Sequence, residues 1–402
     1  MSQLNYYYSK MKRAVRDGTV RERCGRFLLT SLTLPVEVLI GAAHLSKADR
    51  NLNTGAGYAD HRQTSYHRPS NPDHLCRIIA AYKAAKIKQR EAATPFVIKG
   101  LWDEWITINF KDLISALESE DIASLGHLFE NLFREPFTVG IGGYNFFTRY
   151  RKLLGKSYVK CVWSKYRDAL RDLDFDLGKI DFPPVGNPTG VLLNGSVISF
   201  EALRHAYHAV EIRHLLRDVS DPTILEIGGG LGGQAYQTIN ALVGQQSKYL
   251  IFDIPEVAAL SSYFLLSAFP DKRVRLFGEG SFSLDGNEEY DIAVFPHFSI
   301  DRLPASSIDL FYNSCSFSEM DAEASTEYLA VIERSCRKYF LHDNHDSILK
   351  FQKPDGSISV NIIGSKLIPN PTLFKRLYKK PRVHGVPEDR SFVHFEYLYE
   401  KI

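Results

Sequence analysis

Apolar and polar positions along the chain change rhythm near residue 185. Before that point the spacing is helical. Residues 1 to about 50 predict two helices with a break near Pro35, where the ring removes a backbone donor. A polar stretch rich in Gly, His, Ser and Asn follows from 51 to 72 and predicts a long loop. Further helices are expected from 73 to about 88, through 101 to 133 and from 156 to about 173, with an irregular piece around Pro95. Asp181-Phe-Pro-Pro-Val-Gly-Asn-Pro-Thr-Gly then reads as a linker. The boundary is therefore drawn between a mainly α-helical N-terminal domain, 1–185, and a second domain, 186–402.

The second part follows another order. A hairpin is expected at the Asn194-Gly195 turn, and a helix from 199 to about 219 leads into a buried-looking strand at 223–227. A glycine-dense turn, a strand at 248–253, a helix from 255 to 269 with Pro255 in its first turn and a brief strand at 273–277 come next. Strands at 290–298 and 307–317, a helix from 322 to 338 and a strand at 339–343 continue the succession. The last run, 392–400, alternates like an edge strand and predicts an antiparallel addition to a parallel sheet. The whole predicts an α/β fold with a doubly wound, mostly parallel sheet and no internal repeat.

Composition narrows the class. The 402 residues are 44% hydrophobic and 24% charged with a net charge of +2, so nucleic acid is not expected as the main partner. A local excess of Lys10, Lys12, Arg13, Arg16, Arg21, Arg23 and Arg26 over Asp17 and Glu22 reads as a solvated helix face, with peripheral contact to an anionic membrane surface as the other reading. The apolar run from 27 to 45 is interrupted by Pro35 and Glu37 and reads as a buried helix pair, not a transmembrane segment. Cys24, Cys76, Cys161, Cys315 and Cys336 form no C-x-x-C pair, which argues for reduced thiols in a cytoplasmic protein. His61, His67 and His74 match no metal spacing, and the stretch 140–147, glycine and aromatic together, is expected to pack between helices.

Candidate chemistry gathers at the turn after the 223–227 strand. Gly228, Gly229, Gly230, Gly232 and Gly233 permit positive φ and close approach of a bound group. Gly228, Gly230 and Gly233 satisfy G-x-G-x-x-G, a pattern that specifies little alone. Two acids sharpen it. Asp253, with Ile254 after it, closes the next strand, where an acid commonly takes ribose hydroxyls. Glu226 stands two residues before the turn, where it would oppose a pyrophosphate but suit a cationic amino-acid end. Glu226-x-Gly-x-Gly-x-Gly followed by Asp253 therefore resembles the S-adenosylmethionine site of the Rossmann-like methyltransferases.

A finer resemblance rests on Glu226-Ile-Gly-Gly-Gly, Phe252-Asp-Ile-Pro-Glu-Val and above all Asn313-Ser-Cys-Ser-Phe-Ser-Glu-Met320. These stretches are similar to the sugar O-methyltransferase family of bacterial polysaccharide loci, over about residues 180 to 345. The resemblance implies a Rossmann-like methyltransferase sheet, S-adenosylmethionine as cofactor, and methyl transfer to a hydroxyl of a sugar in polysaccharide biosynthesis. The N-terminal part would shape the acceptor side or serve in homo-oligomerisation. Another small hydroxylated metabolite as acceptor, or a non-catalytic cofactor-binding scaffold, stays open beside it.

Strand-end positions extend the candidate set. Asn313 and Ser314 are expected at the methionine portion of the cofactor, and Pro296 and His297 beside adenine. A general base is sought among His342, His345, Glu319 and His297, histidine being favoured by its ordinary pKa. Asp343-Asn344 raises a rival, because magnesium-dependent catechol-type methyltransferases resemble this at the same strand end. The aspartate they carry after the preceding strand is replaced by Asn313 and Ser314, so no metal is assigned. The helix before the glycine strand carries His205, Tyr207, His208 and His214, read either as a lid or as packing.

Overall fold

The computed structural model describes residues 35–36, 38–56, 69–99, 101–143, 153–176, 179–280, 290–352, 358–383 and 394–402. The expected first helix up to residue 34 lies outside the described residues, with the basic segment from Lys10 to Arg26, Cys24, His61, His67 and residues 144–147. No helix among the described residues is long and apolar enough to cross a membrane.

Three short strands, β1 (Asn53–Ala56), β2 (Gly190–Leu193) and β3 (Ser196–Ser199), make a small antiparallel sheet. β2 and β3 turn at Asn194 and Gly195, both at positive φ, as an Asn-Gly hairpin requires. The pairing of β1 with β2 corrects the expectation of a structureless loop from residue 51, since residues 53–56 find backbone partners far away in sequence.

The main sheet comprises β4 (Thr223–Ile227), β5 (Lys248–Asp253), β6 (Val274–Leu276), β7 (Ile292–Pro296), β8 (Ile308–Ser314) and β9 (Cys336–His345). After a separate pair, β10 (Lys350–Gln352) and β11 (Ile358–Val360), it is completed by β12 (Phe374–Pro381) and β13 (His394–Lys401). The order is β12-β13-β9-β8-β4-β5-β7-β6, and β13 alone runs against the others. The fold is thus doubly wound: from β4 the chain moves out through β5, then returns to β8 on the other flank of β4. That reversal opens a crevice at the carboxyl ends of β4 and β8, where such sheets take ligands. β13 is not the edge strand its alternation predicted. It lies between β9 and β12 with Glu396 to Tyr399 buried, and β12 holds the edge.

Alternation along the strands builds two cores. Ile224, Tyr249, Ile251, Val294, Leu310, Tyr312 and Leu341 face one way, under helices Ala202–Leu215, Gly233–Ala241 and Pro255–Ala268. Leu225, Ile227, Phe252, Phe295, Phe311, Phe340 and Tyr397 face the other, under helix Ala322–Ser335. The N-terminal helices join the first core. Helix Pro72–Gln89, capped by Asn71 with proline in its first turn, lies on Pro255–Ala268. Arg77 clasps Glu279 at 2.6 and 2.8 Å and Lys86 meets the buried Glu256 at 2.8 Å. Apolar packing therefore runs without a break across residue 185, bringing Phe129 and Phe133 against Tyr263 and Phe264.

The interior place of β13 has a measurable consequence. Tyr397→Ala should lower stability by about 3–5 kcal/mol, the range for removing a large buried side chain. Leu377→Ala on β12, 42% exposed, should stay within about 0.5 kcal/mol. Chemical unfolding of the two variants separates them, and equal small effects would contradict the strand order.

Candidate functional site

β4 ends at Ile227, and the following turn is made by glycines. Gly228 has φ +76°, its amide donates to the Phe252 carbonyl at 2.9 Å, and a Cβ there would stand 2.5 Å from Ser316 Oγ. Gly230 has φ +55° and donates its amide to Asp253 Oδ2 at 2.9 Å, while Asp253 Oδ1 accepts from the Ile254 amide at 2.8 Å. The carboxylate that ends β5 therefore holds the turn after β4. Gly233 then opens helix Gly233–Ala241 directly against the His205 ring.

Above this turn lies a cavity of about 340 Å³. Its floor is Glu226, Gly228, Gly229, Gly230, Asp253 and Ile254; one wall carries His297 and Tyr328, and another Ser314, Cys315, Ser316 and Glu319. The N-terminal part closes the remaining side with residues 95–99, Trp102, Phe133 and residues 140–142. The glycine-rich stretch at 140–142 thus lines the cavity, where packing between helices was expected.

The acids have unusual surroundings. Glu226 is 3% exposed, accepts the Tyr249 hydroxyl at 2.9 Å, and is pushed up to about 8 by burial. Asp253 is pushed up to about 7, again by burial, against the pull of its backbone donors. Neither has an ion-pair partner among the described residues. Two buried carboxyls beside one cavity, neither in an ion pair although Arg204 and His208 act on Glu226 from a distance, suit a ligand that brings positive charge and oppose one that brings phosphate.

On the opposite wall, Trp102 Nε1 donates to Glu319 Oε2 at 3.1 Å, and burial holds Glu319 up at about 8. His297 donates from Nε2 to the Phe96 carbonyl at 2.7 Å, and burial lowers it to about 4, so its ring is neutral.

Several expected residues stand elsewhere. β9 continues to His345, two residues beyond the predicted strand, so residues read as a loop obey strand alternation instead. His342 is fully buried, stacked on Tyr397 at 4.7 Å and on Phe340 at 4.9 Å, and held near 3 by burial. His345 is 4% exposed, lowered to about 4 by burial, with its Nδ1 accepting from the Ser347 amide. Neither lines the cavity. Asn344 and Asn313 are structural: Asn344 Nδ2 donates to Asn313 Oδ1 at 2.8 Å, Asn313 Nδ2 donates to the Ile227 carbonyl at 2.8 Å, and Asn344 Oδ1 accepts from Ser318. Together they tie the ends of β4, β8 and β9. Pro296 borders a small void beneath helix Pro255–Ala268, and Gly232 turns toward Leu265 and Phe264.

The donor set at Asp343 does not fit a divalent ion. Its carboxylate faces Arg382 Nε at 3.1 Å, His394 Nδ1 at 3.6 Å and His208 Nε2 at 3.8 Å; burial would raise it, but these cations hold it well below the usual range. His208, Glu211 and Glu396 cluster closely enough for a metal, yet Lys380 Nζ bonds Glu211 and reaches Glu396 at 2.9 Å, supplying the countercharge.

Residues missed by sequence reasoning are Arg204, Cys315, Arg382 and Trp102. Arg204 Nη1 donates to Ser314 Oγ at 2.7 Å and its Nε bonds Glu201 at 2.6 Å. The helix was read for its histidines; of these His205 lines the cavity, His208 and Tyr207 are buried beneath it, and His214 is exposed. An arginine one position before His205 was the available signal. Trp102 and Arg382 arrive from distant segments, and nothing local marks them.

No family model and no curated protein matches the chain. Solved structures resemble part of it. A 1,6-didemethyltoxoflavin-N1-methyltransferase from Burkholderia thailandensis, with S-adenosylhomocysteine bound, is 16% identical over 49% of this chain and 78% of its own, with a TM-score of 0.30. An S-adenosylmethionine-dependent methyltransferase from Mesorhizobium loti is 14% identical over 49% and 97%, TM-score 0.31, and one from Aquifex aeolicus is 11% identical over 48% and 89%, TM-score 0.29. The Rossmann-like class of the sheet stands on the strand order and the crevice described above.

Gly228→Ala should lower stability by at least about 1–2 kcal/mol from its left-handed backbone alone. Adding Ser316→Gly, which removes the oxygen the new methyl meets, should recover part of the loss in thermal unfolding. Full stability of Gly228→Ala would mean that the turn is not held as described.

Proposed function

We propose that this chain is an S-adenosylmethionine-dependent O-methyltransferase acting on a sugar hydroxyl, in a polysaccharide, glycan or nucleotide-sugar precursor. The observation that carries the reading is the pair of buried carboxyls, Glu226 and Asp253, raised by burial and in no ion pair among the described residues, beneath a glycine turn at the reversal point of the sheet. When bound, the cofactor supplies a sulfonium-activated methyl group. Glu226 offers negative charge to its cationic end. Asp253 keeps a lone pair for ribose hydroxyls beside the Gly230 and Ile254 amides it accepts, since a carboxylate offers about four acceptor sites. Gly228 to Gly230 leave room for close approach, and Ile254 and His297 border the base.

Acceptor chemistry falls to the wall of Glu319 and Trp102. An in-line displacement at carbon needs the acceptor oxygen held close to the methyl group and relieved of its proton. Of the four base candidates read from the sequence, Glu319 and His297 reach the cavity, and only Glu319 lies on the wall that carries the motif 313–320. We assign it the proton. The mixture of polar groups with the rings of Trp102, Tyr312 and Tyr328 suits a sugar, whose faces are apolar and whose rim is hydroxylated. The resemblance of residues 313–320 to sugar O-methyltransferases supports the same acceptor.

Isothermal titration with S-adenosylmethionine, followed by transfer assays on nucleotide sugars and glycans, tests the reading. Failure to bind it, with binding of a nicotinamide dinucleotide instead, would overturn the cofactor; tight binding without transfer to any acceptor would leave a binding scaffold. A cation in the cavity draws Glu226 and Asp253 toward their ionised forms, so binding should release protons and affinity should rise with pH through about 7 and level off above about 8. Glu226→Gln should weaken binding by at least about tenfold, the equivalent of one pKa unit of coupling. Glu319 accepts a proton only when ionised, so turnover should climb with pH up to about 8 and level off above. Glu319→Gln should lower kcat by about 10²–10⁴-fold and abolish that limb, which a pH-rate profile would register.

A further inference from the structure

The wall opposite the glycine turn carries a group that methyl transfer as described does not use. Cys315 follows β8 immediately, with φ +67°, uncommon for a residue bearing a side chain, and its amide donates to the Asp343 carbonyl at 2.7 Å. This backbone holds the sulfur at the cavity wall, partly accessible. Arg382 Nη1 donates to Sγ at 3.4 Å and lies 3.1 Å from His394 Nδ1; His394 in turn hydrogen-bonds the thiol. Asp343 stands behind both cations, at 3.1 Å from Arg382 and 3.6 Å from His394. Sulfur, imidazole, guanidinium and carboxylate therefore form one constellation from four strands or strand ends. Cys161 and Cys336 lack such partners and are buried.

We propose that Cys315 is a nucleophilic site of the cavity, which adds small α,β-unsaturated carbonyl compounds with His394 as proton donor. In that step the sulfur forms a bond to the β-carbon, the alkene π pair moves to the α-carbon and carbonyl oxygen, and the resulting enolate takes one proton from the His394 imidazolium. The product is a thioether, and no oxidant or reductant is needed.

Charge supports the geometry. Burial pushes the Cys315 thiol up, but Arg382 and His394 outweigh it and hold it at about 6. Burial lowers His394, yet Asp343 and Cys315 raise it to about 9, so it carries a proton at neutrality. Other charged groups near the sulfur are Glu319 in the adjoining turn and Arg204 on the overlying helix, of opposite sign. Cys161 and Cys336 are raised by burial, Cys336 to about 12.

Acrylamide tests the proposal on the full chain with no cofactor added, so the result is separate from the methyltransferase reading. A short cysteine peptide in the same reaction serves as the reference, and adducts are quantified by peptide mass spectrometry. At pH 6 the larger thiolate fraction of Cys315 outweighs its lower intrinsic nucleophilicity, and it should react about tenfold faster than the peptide. Its rate should level off above about pH 7 while the peptide's continues to climb. His394→Gln should bring Cys315 down toward the peptide at pH 6, with circular dichroism confirming the fold. Reaction no faster than the peptide at pH 6, or a rate still rising through pH 8, would overturn the site, whether or not the variant folds. Unchanged reactivity of a folded His394→Gln variant would overturn the proton donor.

Discussion

The hydrogen bond from the Gly230 amide to the Asp253 carboxylate is the constraint on which the carboxyl edge of the sheet depends. It joins the turn after β4 to the end of β5, beside the backbone bond from the Gly232 amide to the Gly229 carbonyl within the turn. The residue that holds this turn also lines the cavity above it. Because the same carboxylate accepts the Ile254 amide, its position is set from both sides. Burial of this group without a countercharge is costly for the free protein.

Much of this was legible in the chain. The apolar runs of β4, β5 and β8, the proline that opens helix Pro255–Ala268 and the Asn194-Gly195 turn are local signals, and each formed where its spacing placed it. Glu226 and Asp253 were equally readable, since their distance from the glycines is counted along one strand-turn-helix unit. His342 failed for a reason of parity. Alternation along β9 sends successive side chains to opposite faces, so His342 enters the core with Phe340 and Tyr397 while Asp343 turns toward Arg382, and the two residues by which the strand outruns its expected end carry His345 with it. Periodicity alone did not mark where β9 stops. β13 contributes to that extension, because its pairing reaches from Tyr339 to His345.

Long-range partners were illegible for another reason. Asp343 alone reads as a metal ligand, and only the arrival of Arg382 from β12, His394 from β13 and His208 from the overlying helix makes it the anion of a buried cation cluster. The same holds for Glu211 and Glu396 under Lys380. Such networks add little net stability over an apolar core, since desolvation offsets attraction, but removing any single member leaves an uncompensated charge. Beneath helix Ala202–Leu215 they tie β9, β12 and β13 together, and Arg382 carries the tie on to Cys315 at the cavity wall.

The two edges of the main sheet also bear on how the protein behaves in a crowded solution. β6, at one end, is three residues long and offers few free backbone groups to another strand. β12, at the other, is eight residues long, and a bare strand of that length would recruit strands from other molecules. It carries Lys375, Arg376, Lys379 and Lys380, ends in Pro381, and its pairing with β13 is irregular between Arg376 and Tyr378. Cationic side chains, a proline and a local kink each discourage edge-to-edge pairing, so the sheet is protected against self-templated aggregation by the strand whose Lys380 neutralises the buried acids within.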